Sequence, residues 1–181
     1  MGLLRRIGAM LVGLALLAGC VAGCAGPAMS TAGSSSAPST PASTPGAEEL
    51  QFTSITLDGK AFSGASLAGH PAVLWFWAPW CPNCRAESGQ VAAAAAAHQG
   101  SVTFVGVASL DALPAMQSFV TTYGMGGFTQ LADLDGSIWR RFGVTQQPAY
   151  AFISANGSVE VVKTRVSAAE LDSRLAQLTT S

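Results

Sequence analysis

The chain has 181 residues, a formal net charge of −1 at pH 7 and a charged fraction of 10%. So few cations on so neutral a chain leave no basic patch, which argues against nucleic acid as a partner. Beyond the leader no apolar run approaches the ~20 residues of a membrane-spanning helix, so the apolar bias belongs to the leader and to Ala- and Val-rich parts of a globular domain.

Arg5 and Arg6 precede an apolar stretch over 7–18, and Leu17-Ala18-Gly19-Cys20 closes it. A positive start, a short apolar region and small residues before a cut are the parts of a secretory signal. The segment also resembles a bacterial lipoprotein signal, in which small residues precede a cysteine that receives lipid. Cys20 directly follows the apolar run; Val21-Ala22-Gly23-Cys24 makes Cys24 the alternative. The resemblance implies an exported protein, lipid-anchored to the outer face of the cytoplasmic membrane, where disulfides persist. Residues 25–49 are mostly Ser, Thr, Pro, Ala and Gly without an aromatic, the composition of a flexible tether. The expected division is a signal over 1–19, a tether over 20–49 and one domain over 50–181. A domain of that size hides about two-thirds of its chain surface, enough for a core without staples.

Phe52, Ile55 and Leu57, then Asp58-Gly59, then Ala61-Phe62 predict a short hairpin. Residues 72–78 (A-V-L-W-F-W-A) predict a strand buried on both faces. A helix is expected from just after Cys81 toward His98, with Gly100 as its stop, and 102–108 predicts a second buried strand. Asp111 is placed to cap a helix whose Leu113, Met116, Val120 and Tyr123 share a face. A short strand over 128–131 and a short helix over 137–142, closed by Gly143, follow. Strands over 149–153 and 158–163 flank Ala155-Asn156-Gly157, a hairpin signal. Ser167 and Glu170 predict a capping box for a last helix carrying Leu171, Leu175 and Leu178. The order predicts an α/β domain around one central sheet.

Of four cysteines, Cys81 and Cys84 form a C-P-N-C at the expected strand-to-helix junction. A cysteine at a helix start has its thiolate stabilised by free N–H groups and the helix dipole, and two cysteines on that turn are close enough to join. The first sulfur is expected to be exposed and the second to point into the body. Arg85 adds a nearby positive charge. A structural zinc site wants four ligands, and His70 and His98 show no ligand spacing to the pair. Asp133-x-Asp135-Gly136 lacks the later ligands of a calcium loop and is taken as a turn. Trp75 and Trp77 are assigned to the core, and Trp80 to the rim beside Cys81.

The segment Phe76-Trp77-Ala78-Pro79-Trp80-Cys81-Pro82-Asn83-Cys84-Arg85 resembles the active-site segment of thioredoxin-like proteins. Glu87, Val144-Thr145-Gln146-Gln147-Pro148 and an extra helix–strand segment over 111–132 point to the TlpA/ResA/DsbE branch and to its exported DsbE/DsbF-type lipoproteins. The resemblance implies a thioredoxin-like fold, a central mixed β-sheet flanked by helices, and a thiol–disulfide oxidoreductase with no cofactor beyond its redox disulfide. It makes Cys81 the attacked sulfur, Cys84 the resolving one, Glu87 a proton carrier for the buried thiol and Pro148 a cis-proline. Trp80, Pro82, Asn83, Gln147 and Pro148 become the substrate-facing residues. Implied partners are exported cysteine-containing proteins and a membrane or envelope redox protein that recycles the pair. Trp75 stands where thioredoxin keeps a buried Asp, and Gly89 where the family usually has a helix-kinking Pro. Oxidation of secreted proteins is the favoured direction; reduction of apocytochrome thiols for cytochrome c maturation is the alternative. A copper-binding module fits less well, since such modules usually place three residues between the cysteines and add a distal His. A peroxidase motif, Pro-x-x-x-Thr-x-x-Cys, is absent.

Overall fold

The computed structural model describes residues 48–180. The expected signal at 1–19, the lipidation candidates Cys20 and Cys24 and all of the tether except Glu48 and Glu49 lie outside the described residues. Those two acids belong to the folded body instead. The Glu48 carbonyl accepts from the Gln51 amide at 3.1 Å and from Arg141 Nη1 at 2.9 Å.

The described chain forms β1 (Thr53–Ile55), β2 (Ala61–Ser63), β3 (Ala72–Trp77), α1 (Pro82–Ala97), β4 (Thr103–Ala108), α2 (Leu113–Thr122), β5 (Thr129–Ala132), α3 (Ser137–Arg141), β6 (Ala149–Ile153), β7 (Val159–Val162) and α4 (Ala168–Leu178). The β1–β2 pair is the expected hairpin, with Gly59 in its turn at φ +83°. The remaining strands make one sheet in the order β5-β4-β3-β6-β7. β3, β4 and β5 run parallel, while β6 is antiparallel to both β3 and β7. The domain is thus α/β, with a mixed sheet between two helical layers.

β3 shows why. All six of its residues are buried, and alternate side chains face opposite layers. Val73, Trp75 and Trp77 pack with Val91 of α1, Met116 and Phe119 of α2 and the leucines of α4. Ala72, Leu74 and Phe76 face Ile138, Trp139 and Phe142 around α3, together with Leu50 and Leu67. Each large side chain so buried contributes roughly 1.5–3 kcal/mol, which holds β3 firmly between the layers.

Several local expectations give way to other local contacts. Asp111 does not cap α2; its carboxylate accepts from the adjacent Ala112 amide, and Ala112 occupies the cap position. Pro114 lies in the first turn of α2, where a missing donor costs little. The Ser167–Glu170 capping box is half formed. Ser167 Oγ accepts from the Glu170 amide at 3.2 Å, but the Glu170 carboxylate turns to Arg174 instead. α1 runs unbroken through Gly89.

Gln130 on β5 is buried, accepts from Trp77 Nε1 at 3.1 Å and donates to the Met125 carbonyl at 2.9 Å. Gly106 on β4 makes room for it, since a Cβ there would overlap the Gln130 oxygen and stand 2.7 Å from its Cδ. Gly106→Ala should therefore break two buried hydrogen bonds and lower unfolding free energy by about 1–3 kcal/mol. Urea unfolding measures it; a midpoint equal to wild type would show that Gln130 relaxes freely.

Candidate active site

β3 stops at Trp77, a turn closed by the Cys81 amide on the Ala78 carbonyl (3.1 Å) follows, and α1 begins at Pro82. Pro82 suits this place because the first helical residue needs no amide donor. Cys81 is the helix cap: its Sγ accepts from the Cys84 amide at 3.1 Å, a role normally filled by a Ser or Asp oxygen. Cys81 and Cys84 form a disulfide with their Cα atoms 5.3 Å apart. When that bond is reduced, the same amide and the helix dipole favour a thiolate on Cys81.

The expected exposure of the first sulfur needs correcting. Cys81 is 3% exposed and Cys84 fully buried. Capping turns the Cys81 side chain inward over the helix end, and the Gln147 carbonyl lies 4.0 Å from its sulfur. An asymmetry remains, in that only Cys81 touches solvent at all. The Gln147–Pro148 peptide is cis. Trp80, Pro82 and Asn83 are exposed around the pair, and Trp80 Nε1 donates to the Leu110 carbonyl at 3.1 Å. Arg85 Nη2 donates to the carbonyls of Trp80 (3.3 Å) and Pro79 (3.5 Å), so its charge is turned to the backbone before Cys81.

Glu87 lies one turn after Cys84 on the same buried face of α1 and is 1% exposed. Tyr150 donates to its Oε2 at 2.7 Å and Arg165 Nε to its Oε1 at 3.2 Å. Burial, and then the hydrogen bond to Glu87, push the Tyr150 phenol well above its ordinary value, so it serves as a fixed donor. Arg165 is more than half exposed and links the carboxylate to the surface. Trp75 pairs across the sheet with Tyr150, and its indole N–H makes no hydrogen bond within the described residues.

Sequence reasoning missed Tyr150 and Arg165. Tyr150 falls inside the strand expected over 149–153, Arg165 lies between that hairpin and the last helix, and neither is singled out by the sequence. The signal available was the question of what a buried Glu87 would require. Asp133 and Asp135 flank the expected turn. Asp133 accepts from the amides of Ile138 (3.1 Å) and Trp139 (2.9 Å), and Asp135 from that of Ser137 (3.0 Å), so the acids begin α3. Burial raises the Asp133 carboxyl above its ordinary value. Among the described residues no three His, Cys, Asp or Glu side chains gather as a metal cluster.

Residues 45–162 match the AhpC/TSA family. The soluble secreted antigen MPT53 of Mycobacterium tuberculosis is 50% identical over 135 residues, 73% of this chain and 77% of MPT53. Among solved structures, MTB dsbF, seen in mixed oxidized and reduced forms, is 59% identical with a TM-score of 0.71, over 72% of this chain and 97% of that one. A secreted M. tuberculosis disulfide oxidoreductase homologous to E. coli DsbE is 50% identical with a TM-score of 0.69, over 72% of this chain and 98% of that one. With a thioredoxin-like sheet, a cysteine pair at the β3–α1 junction and these relatives, the chain belongs to the AhpC/TSA family, alongside its DsbE/DsbF-type members.

Proposed function

We propose that the chain is an extracytoplasmic thiol–disulfide oxidoreductase that passes the Cys81–Cys84 disulfide to exported cysteine-containing proteins. The observation that carries this is the Cys84 amide held 3.1 Å from Cys81 Sγ at the start of α1. A group that stabilises the Cys81 thiolate stabilises the reduced pair, and a stable reduced pair is what makes a disulfide oxidising. The secretory and lipobox pattern ending at Cys20, with Cys24 as alternative, supports a lipid-anchored protein of the cell envelope. The naming of MPT53 as a secreted antigen supports export.

In the oxidising direction a substrate thiolate attacks Cys81 Sγ. The Cys81–Cys84 bond breaks and its electron pair leaves on Cys84. The substrate's second thiolate then attacks the substrate sulfur of the mixed disulfide, and Cys81 leaves as a thiolate facing the Cys84 amide. Two electrons have moved from the substrate dithiol to the pair, and an envelope redox partner removes them. Trp80, Pro82, Asn83, Gln147 and Pro148 frame the attacked sulfur.

Cys84 is fully buried, so the charge that develops there needs a proton. Glu87, the acid one turn away, relays one: its carboxylate first takes a proton from solvent and then passes it to the Cys84 sulfur. Tyr150 holds one carboxylate oxygen, and Arg165 joins the other to the solvent side, where the proton enters.

The reduction potential of the pair, measured in glutathione buffers on a soluble form beginning upstream of Glu48, tests the direction. It should fall nearer the about −120 mV of DsbA than the about −270 mV of thioredoxin. A value at or below thioredoxin's would assign the chain to reduction, as in cytochrome c maturation. Cys81→Ser should abolish exchange, whereas Cys84→Ser should accumulate mixed disulfides through Cys81; full activity in Cys81→Ser would sink the mechanism. Glu87→Gln should slow exchange by about a hundredfold while the midpoint of urea unfolding stays close to wild type. An unchanged exchange rate would leave Glu87 a purely structural role.

A further inference from the structure

Five large apolar side chains are exposed among the described residues, and three of them, Trp80, Leu110 and Leu134, follow consecutive strands. Trp80 follows β3, Leu110 follows β4 and Leu134 follows β5. These strands are parallel neighbours, so the three loops stand side by side at the end of the sheet that carries the disulfide. Their exposures of 50%, 54% and 56% are high for residues of this kind. Apolar side chains gathered at the carboxyl ends of strands mark a binding edge.

Leu110 strengthens the case. It is the one non-glycine with positive φ among the described residues, at +63°, a conformation that side chains rarely adopt. In it the Leu110 carbonyl accepts from Trp80 Nε1 at 3.1 Å. Ser109 fixes the turn from below, its amide on the Trp77 carbonyl and its hydroxyl on the Asp133 carbonyl. Behind the rim a groove is lined by Ser109, Leu110, Leu134, Trp139, Val144 and Thr145, with Asp135 and Arg140 also on its wall. Thr145 lies two residues before Gln147, whose carbonyl is 4.0 Å from Cys81 Sγ. The groove is therefore bounded on one side by the segment that leads to Gln147 at the Cys81 sulfur and on the other by Leu110, which holds Trp80 next to Cys81.

We infer that Leu110 and Leu134 extend the substrate surface from Trp80 and select extended, unfolded cysteine-bearing polypeptides that carry a large apolar residue beside the cysteine. This rests on the oxidoreductase function proposed above. A substrate whose sulfur sits on Cys81 must lay its neighbouring residues over this continuous rim. Apolar residues are usually buried once a protein has folded, so such a rim meets them on chains that have not yet folded.

The test uses the full-length chain in its oxidised form and two cysteine peptides that differ only in Leu or Ser beside the cysteine. The readout is the rate at which each peptide, in excess, reduces the Cys81–Cys84 disulfide, with dithiothreitol as a control for the disulfide itself. Wild type should react about tenfold faster with the Leu peptide, the effect of one buried apolar side chain. In a Leu110→Gly, Leu134→Ser variant the preference should vanish while the dithiothreitol rate stays at the wild-type value. Glycine keeps the left-handed backbone that holds Trp80, and Leu110→Asn, which also tolerates it, serves as a second variant. Equal rates for both peptides in wild type, or an undiminished preference in the variants, would overturn the inference and leave the redox function standing. A disulfide that neither peptide nor dithiothreitol reduces would overturn both.

Discussion

A backbone amide aimed at a sulfur makes demands on everything behind it. For the Cys84 N–H to meet Cys81 Sγ at 3.1 Å, α1 must begin within a few residues of the end of β3, and β3 must not move. Burial on both faces and pairing with β4 and β6 hold the strand. The same pairing delivers the other half of the site. Phe76 is in register with Ala149, so the residues just before Ala149 lie alongside the turn that leads from β3 to Cys81. That register is why Gln147 and Pro148, over sixty residues away in sequence, arrive at the disulfide.

The second consequence of anchoring the site on a buried strand is a set of buried polar groups that must be satisfied locally. An unpaired carboxylate at such depth would cost several kcal/mol. Glu87 meets this with Tyr150 and Arg165, Gln130 with Trp77 and Met125, and Asp133 with the first amides of α3. Two of the three also join layers or strands. Glu87 ties α1 to β6 across 63 residues, and Gln130 ties β5 to β3 across 53. Trp75 fits the same logic from the other side. An apolar ring where an acid stands in thioredoxin leaves Glu87 as the buried acid on this side of the pair.

What the sequence made legible was local or periodic. The apolar run of β3, the turn residues of both hairpins, the leucine face of α4 and the cysteine pair at a strand-to-helix junction each declare themselves within a few neighbours. The cis Gln147–Pro148 peptide was legible only through resemblance, because nothing in its own neighbours sets the isomer. Two misses were local: the Asp111 and Glu170 side chains took the adjacent Ala112 amide and Arg174, one turn on, in place of the expected caps. The others were tertiary. Cys81 is buried because a carbonyl from a distant loop lies against it. Tyr150 and Arg165 are 63 and 78 residues from the carboxylate they hold, beyond the range of any periodicity. The left-handed Leu110 was invisible for a related reason. Leucine has no propensity for that conformation, which is held here by an indole 30 residues earlier and a buried serine.

The two sulfurs are therefore unequal in a way that orders the chemistry. Cys81 alone meets solvent and alone faces a free helix amide, which is why the proposed exchange places both attack and departure there, whichever way electrons flow. The direction itself depends on modest energies. A hydrogen bond to a charged group contributes about 1.5–3 kcal/mol, and about 1.4 kcal/mol corresponds to roughly 30 mV for a two-electron couple. One amide on the Cys81 thiolate thus raises the potential by roughly 30–60 mV, against a span of about 150 mV between thioredoxin and DsbA. The residues between the cysteines act through this term, because they decide which amides of the first turn reach the sulfur. Here Pro82 contributes no N–H, and the amide of Cys84 itself takes the contact. In the proposed mechanism Cys84 thereby stabilises the thiolate of its partner through its backbone while it accepts the electrons through its side chain.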